Sequence, residues 1–214
     1  MPDSKSPLSP DTSQDKERGT TRRTFLKSAG MASAGVAGLS LLEDVAAAQA
    51  NSHGSVMGPG KVPLRLQING KAHAVNVEPR ATLAEVLRDE LQMTGTKIVC
   101  DRGSCSACTV MLGKSPVCSC MTLAVDVGAR EITTIEGLAL GENLHPVQAA
   151  FVTHDALQCG FCTSGMVMSC TALVERNPNP SIADVKTAIS GNLCRCGTYP
   201  KVLEAVLASS GKGA

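Results

Sequence analysis

The pattern of apolar and polar positions changes several times along the chain. Residues 1–20 are rich in Ser, Asp and Pro and carry no hydrophobic period, so they bury too little apolar surface to order themselves. Residues 51–62 are rich in Gly, Ser and Pro and read as a linker. From Leu64 the pattern alternates: Leu64, Leu66 and Ile68 share one face, Asn69-Gly70 follows, then Val75 and Val77. An Asn-Gly pair between alternating runs predicts a two-residue hairpin, because both central positions tolerate positive φ. Thr82 and Glu85 have the spacing of a capping box. Leu83, Val86, Leu87 and Leu91 then recur at helical spacing, which predicts a helix over 83–91 with one buried face. Thr109 to Leu112, ending at Gly113-Lys114, and Glu131 to Ile135 read as further strands. Residues 63–138 are thus expected to form an α+β domain.

Beyond Gly141 the strand signals stop. Pro146 suits a first helical position, with Val147, Ala150, Phe151 and His154 on one stripe. Val167, Cys170, Leu173 and Val174 predict a second helix, closed by Asn177-Pro178-Asn179-Pro180. Ser181 and Asp184 suit the cap of a third, and Pro200 opens a fourth over Val202 to Leu207. Residues 142–208 read as a small helical bundle.

Composition alters this picture through two counts. The 214 residues include ten Cys but only three Phe, one Tyr and no Trp. Small domains with thin cores usually need a metal or covalent staple, and the cysteines can supply one. A net charge of +1 leaves no basic excess to displace counterions from a polyanion. The scarcity of rings also removes a base-stacking platform, so nucleic-acid binding is disfavoured.

Residues 1–50 have the parts of an export signal. Thr21-Arg22-Arg23-Thr24-Phe25-Leu26-Lys27 is followed by small apolar residues from Ala29 to Leu42 and by Ala46-Ala47-Ala48-Gln49-Ala50. A basic stretch, a short apolar run and small residues at a cleavage site make a secretory signal. The run is too short and Gly-rich for a good membrane span. The paired arginines ahead of Phe-Leu resemble a twin-arginine signal, which implies export of a folded protein to the periplasm and cleavage near Ala50.

Eight of the ten cysteines fall into two sets. The first is Cys100, Cys105 and Cys108, spaced C-x4-C-x2-C, with Cys120 twelve positions on. This matches the plant-type spacing for a [2Fe–2S] cluster. Gly103, Ser104, Ser106 and Ala107 are small enough for the loop to wrap a charged cluster closely with its N–H groups. A zinc ribbon would instead use two C-x2-C knuckles. The second set is Cys159 and Cys162 (C-x2-C) with Cys194 and Cys196 (C-x-C). A C-x2-C alone is shared by redox and zinc sites, but four thiolates just after a complete ferredoxin-like set point to a second cluster. Disulfides are the competing reading for an exported protein; a C-x-C pair is too close to bridge itself. Cys170 reads as a small buried apolar residue, and Cys118 is left outside the clusters because the spacing favours Cys120. His53, His73, His145 and His154 are scattered, no P-loop or G-x-G-x-x-G is present, and no residue of the chain is expected to be catalytic.

These residues resemble a known family. Cys100 to Val110, Ser119-Cys120-Met121-Thr122-Leu123-Ala124 and Thr134-Ile135-Glu136-Gly137-Leu138 are similar to the small iron–sulfur subunit of the xanthine oxidase family of molybdenum hydroxylases. So are Gln148-Ala149-Ala150-Phe151, Gln158 to Gly165, and Gly191 to Tyr199. With its leader, the chain resembles the periplasmic aldehyde oxidoreductase branch. The resemblance implies a plant-ferredoxin-like (β-grasp) N-terminal domain and a four-helix C-terminal domain, each with one [2Fe–2S] cluster. It implies a large subunit carrying molybdopterin cytosine dinucleotide, and an FAD-binding subunit or a cytochrome as acceptor. Gln158 and Cys196 stand where the family approaches the pterin. Ser106 departs from the Gly usual there and puts one close backbone contact in doubt. The implied role is electron relay without bond chemistry in this chain. Small subunits acting with N-heterocycle or purine hydroxylases, a free-standing two-cluster ferredoxin, and a disulfide- or zinc-stabilised binding module are the alternatives.

Overall fold

The structure, a computed structural model, describes residues 57–210. The leader expected over 1–50 and the first part of the linker lie outside the described residues. β1 (Val62–Ile68) and β2 (Lys71–Val77) form the expected antiparallel hairpin, with Val62 opposite Val77 and Ile68 opposite Lys71. Asn69 and Gly70 take φ of 51° and 74°, the pair of positive values that a tight turn matching strand twist requires. This register sends Leu66, Ile68 and Val77 inward.

Three further strands complete a mixed sheet in the order β2-β1-β5-β3-β4. β3 (Thr109–Leu112) and β5 (Glu131–Thr133) fall where the alternation placed them, although β5 stops two residues early. The cause is the hairpin turn: the Asn69 side chain accepts from Thr134 N–H at 2.9 Å and donates to Thr134 Oγ1 at 3.0 Å. Those bonds replace the ladder, and the chain leaves through a 3₁₀ turn, Ile135–Gly137. β4 (Ser115–Cys118) was not anticipated. It contains Pro116, which a strand tolerates at a sheet edge, and β4 is an edge strand.

The predicted helix over 83–91 divides in two. Thr82 and Glu85 close the capping box, with Thr82 N–H donating to Glu85 Oε2 at 2.7 Å. α1 (Leu83–Glu85) then widens into a π-helical turn, Val86–Glu90, in which Leu91 N–H reaches back to Val86 O. The wider turn brings Leu91 and Met93 against the core of Leu66, Ile68, Leu83, Leu87, Val110 and Ile132.

The four expected helices follow: α2 (Pro146–Thr153), α3 (Thr163–Arg176), α4 (Ile182–Ala188) and α5 (Tyr199–Ser209). Phe151, Val167, Cys170, Val202 and Val206 meet at their centre, each large apolar side chain worth about 1.5–3 kcal/mol when fully buried. The Cys170 thiol, pushed up to about 12 by burial, stays neutral there as the apolar residue the pattern implied. α3 is buried continuously from Ser164 to Leu173. Its Met168 and Ala172 pack on Met111 of β3, so both faces of β3 are covered, which explains its uninterrupted apolar run.

Candidate functional site: two thiol groups and the seam between them

The loop carrying Cys100, Cys105 and Cys108 turns back on itself through positive φ at Asp101 (52°), Gly103 (70°) and Ser106 (54°). Such left-handed steps aim successive N–H groups into one concavity, suited to an anion. Ser104 N–H donates to Cys100 Sγ at 3.3 Å. The Arg102 N–H, and then the Cys105 thiol, bring the Cys100 thiol down to about 7. Cys105 moves the other way, chiefly through burial, with the Ala107 N–H opposing.

Cys120 arrives from the other side on a 3₁₀ turn, Ser119–Met121, just past β4. It packs with Cys108 and Ala84, and burial followed by its contact with Cys108 pushes its thiol up to about 12. The four thiols expected as ligands therefore meet as two pairs, Cys100 with Cys105 and Cys108 with Cys120. Among the described residues no group of three or more His, Cys, Asp or Glu is arranged to hold a single ion. Paired thiols fit a binuclear centre, in which each iron takes two of four cysteines.

The second set is built at the start of α3. Gly160, at φ 83°, turns the chain between Cys159 and Cys162, and Cys162 caps the helix. Cys194 comes from the loop joining α4 to α5 and approaches Cys162 and, through it, Cys159. Burial pushes Cys162 up to about 12. Burial acts on Cys194 too, but the Thr198 hydroxyl and N–H, with Cys162, bring it down to about 7. Tyr199 clamps this loop, accepting from Cys194 N–H at 2.8 Å and donating to Asn192 O at 3.1 Å. Cys196, Gln158 and Cys159 are exposed. Phe161 and Leu193 beside them are each 56% exposed, leaving one ring and one aliphatic side chain open around the second set.

The two sets adjoin along a seam that the sequence reading did not foresee. Leu193 N–H donates to Cys105 O at 3.1 Å, and Asn192 Nδ2 donates to Ser106 O at 3.2 Å. Gly165 of α3 lies so close that an added Cβ would overlap Ser106 O and stand 2.9 Å from Ala107 Cα. From Cys105 the path to Cys194 thus runs through one carbonyl, one hydrogen bond and one residue. The Ser106 carbonyl serves the seam, while its hydroxyl lies 3.6 Å from Cys118 Sγ. A glycine in a helix's first turn was the available signal for Gly165.

Comparison with known proteins follows this division. A 2Fe-2S iron-sulfur cluster binding domain family matches residues 66–133, and a [2Fe-2S] binding domain family matches residues 134–207. The nicotine 6-hydroxylase small subunit of Paenarthrobacter nicotinovorans is 46% identical over 152 residues, covering 71% of this chain and 92% of its own. The aldehyde oxidoreductase iron-sulfur-binding subunit PaoA of Escherichia coli K12 is 37% identical over 207 residues, covering 90% of this chain and 89% of its own. Among solved structures, quinoline 2-oxidoreductase of Pseudomonas putida 86 superposes with a TM-score of 0.68 at 43% identity, over 70% of this chain and 94% of that one. Aldehyde oxidoreductase of Desulfovibrio gigas gives 0.66 at 38% identity, over 70% of this chain and 17% of that one.

Proposed function

Because this chain belongs to the two-domain [2Fe–2S] iron–sulfur subunits of the xanthine oxidase family of molybdenum hydroxylases, we propose that it relays electrons within a periplasmic aldehyde oxidoreductase. Cys100, Cys105, Cys108 and Cys120 hold the first cluster, and Cys159, Cys162, Cys194 and Cys196 hold the second. When bound, such clusters accept and release one electron at a time, at potentials set by burial and by hydrogen bonds to their sulfurs. The chain supplies both settings. Cys105, Cys108 and Cys120 exclude water from one side, while the Ser104 N–H and the Thr198 hydroxyl stand against the sulfurs of Cys100 and Cys194.

The observation that carries this reading is the seam. A hydrogen bond from Leu193 to Cys105, one residue from Cys194, is what a relay between two centres needs and what a pair of independent structural staples does not. The exposed Gln158, Cys196, Phe161 and Leu193 form the face for a large subunit bearing molybdopterin cytosine dinucleotide, with Gln158 and Cys196 toward the pterin. An FAD-binding subunit or a cytochrome then receives electrons from the first cluster. The twin-arginine-like leader supports the periplasm, and the match to the E. coli subunit, spanning 90% of this chain, reaches into that leader. Among the described residues no helix is long and apolar enough to cross a membrane.

N-heterocycle hydroxylation is the second reading for the assembly, favoured by the 46% identity to a nicotine 6-hydroxylase small subunit. Purification of the complex from its own host tests both. The expected result is a co-purifying molybdenum chain whose turnover prefers aldehydes; preference for N-heterocycles selects the second reading, and a chain that purifies alone with two clusters defeats both. Gln158→Ala should leave iron content intact while slowing turnover or loosening the large subunit; unchanged assembly and turnover would remove Gln158 from the pterin contact.

A further inference from the structure

We propose that Cys118 is a reserve ligand of the first cluster, able to take the place of Cys120; the inference rests on the relay reading above. Five thiols, not four, occupy the first site. Cys118 is the last residue of β4 and stands opposite Thr109 in the β3–β4 ladder, which sets it beside Cys108. Its thiol is half-buried and turned into the loop: Ser106 Oγ lies 3.6 Å from Cys118 Sγ, and Gly103 O lies 4.0 Å away. Cys118 packs against the buried cluster of Cys108, Cys120 and Ala84. Within the loop, Ser106 is the residue whose hydroxyl engages this fifth thiol.

The backbone makes exchange between positions 118 and 120 a short movement. Ser119 lies between them and is anchored to Cys108 O twice, through its N–H at 3.3 Å and its hydroxyl at 2.7 Å. The two thiols thus flank one fixed residue, and both approach Cys108. The deeper burial of Cys120, 4% exposed, makes it the resident ligand, while the hydrogen-bonding contacts hold Cys118 at the rim. In the exchange the Cys118 Sγ–H would give its proton to solvent and its sulfur would take the iron position held by Cys120, whose thiolate would leave and take up a proton in turn; where residue 120 is no thiol, Cys118 would fill that position from the start. No electron changes hands, and the ligand is a thiolate before and after.

The test uses the full assembly, with the second cluster as an internal control. In Cys120→Ser the first cluster should persist, with iron per chain unchanged and its EPR signal shifted rather than lost. In Cys118→Ala/Cys120→Ser that signal should vanish, with two irons per chain missing, one cluster's worth. Loss of the first cluster in Cys120→Ser with the second intact overturns the proposal, as does its survival in the double variant. If Cys120→Ser yields no folded chain, chelator challenge of Cys118→Ala decides. The first cluster should then be lost faster than in the wild type and the second at the same rate; equal rates for the first cluster overturn the proposal. A wild-type assembly without two iron centres refutes the relay reading itself and is distinguishable from every one of these results.

Discussion

Gly165→Ala places the smallest possible strain on the seam between the two thiol groups. The added Cβ would overlap Ser106 O and press on Ala107 Cα and C at 2.9 Å, all backbone atoms that cannot rotate away. Helix propensity favours the alanine by about 1 kcal/mol. Overpacking of this kind costs about 1–3 kcal/mol, and the hydrogen bonds Leu193 N–H to Cys105 O and Asn192 Nδ2 to Ser106 O contribute about 1 kcal/mol each if the seam opens. The balance is a loss of about 2–4 kcal/mol, or roughly 4–16 °C in Tm for a unit of this size. Thermal unfolding of the cluster-loaded protein measures it, and the magnetic interaction between the two reduced clusters should weaken in the same variant. A Gly165→Ala protein as stable as the wild type, with the interaction unchanged, would refute the claim that close packing at Gly165 holds the two cysteine loops together.

Two further expectations concern the helical domain. Tyr199→Phe leaves Cys194 N–H and Asn192 O without their partner, a loss of about 1–3 kcal/mol; a chelator should then strip the second cluster sooner while the first keeps its rate, and equal stripping of both would count against the clamp. His145 caps α2, its Nδ1 accepting from Val147 N–H at 3.2 Å, and burial holds its pKa below the ordinary 6.5 despite the nearby Glu175. A depressed histidine pKa means that the unfolded chain takes up the proton first, so stability is full above about pH 6.5 and declines as pH falls toward the folded value. His145→Asn keeps a capping acceptor that does not titrate and should flatten that part of the Tm profile between about pH 7 and pH 5; an unchanged profile would clear His145 of the role.

What could be read from the chain alone was local. Asn69-Gly70, the Thr82–Glu85 and Ser181–Asp184 boxes and Pro146 each decide their own turn or cap through nearby atoms, and each forms as expected. The C-x4-C-x2-C loop was equally legible, because its chemistry lies within nine residues. What escaped depends on distant partners. β5 ends early because of a side chain 65 positions away, and β4 accommodates its proline because, among the described residues, it is the last strand of the sheet. The π-helical turn after Glu85 answers to the core it must reach. The seam joins Asn192 to Ser106 across 86 positions and Leu193 to Cys105 beside them, and no period or spacing announces it. Cys118 sits between these cases: its presence was visible, but its inward orientation is not.

EPR and chemical analysis of the intact, dithionite-reduced assembly reach the central claim most directly. Four irons and four acid-labile sulfides per chain, with two distinct signals that broaden each other, are the expected result for a pair of adjacent [2Fe–2S] centres. One signal, two irons, or zinc or disulfides in place of iron would contradict it.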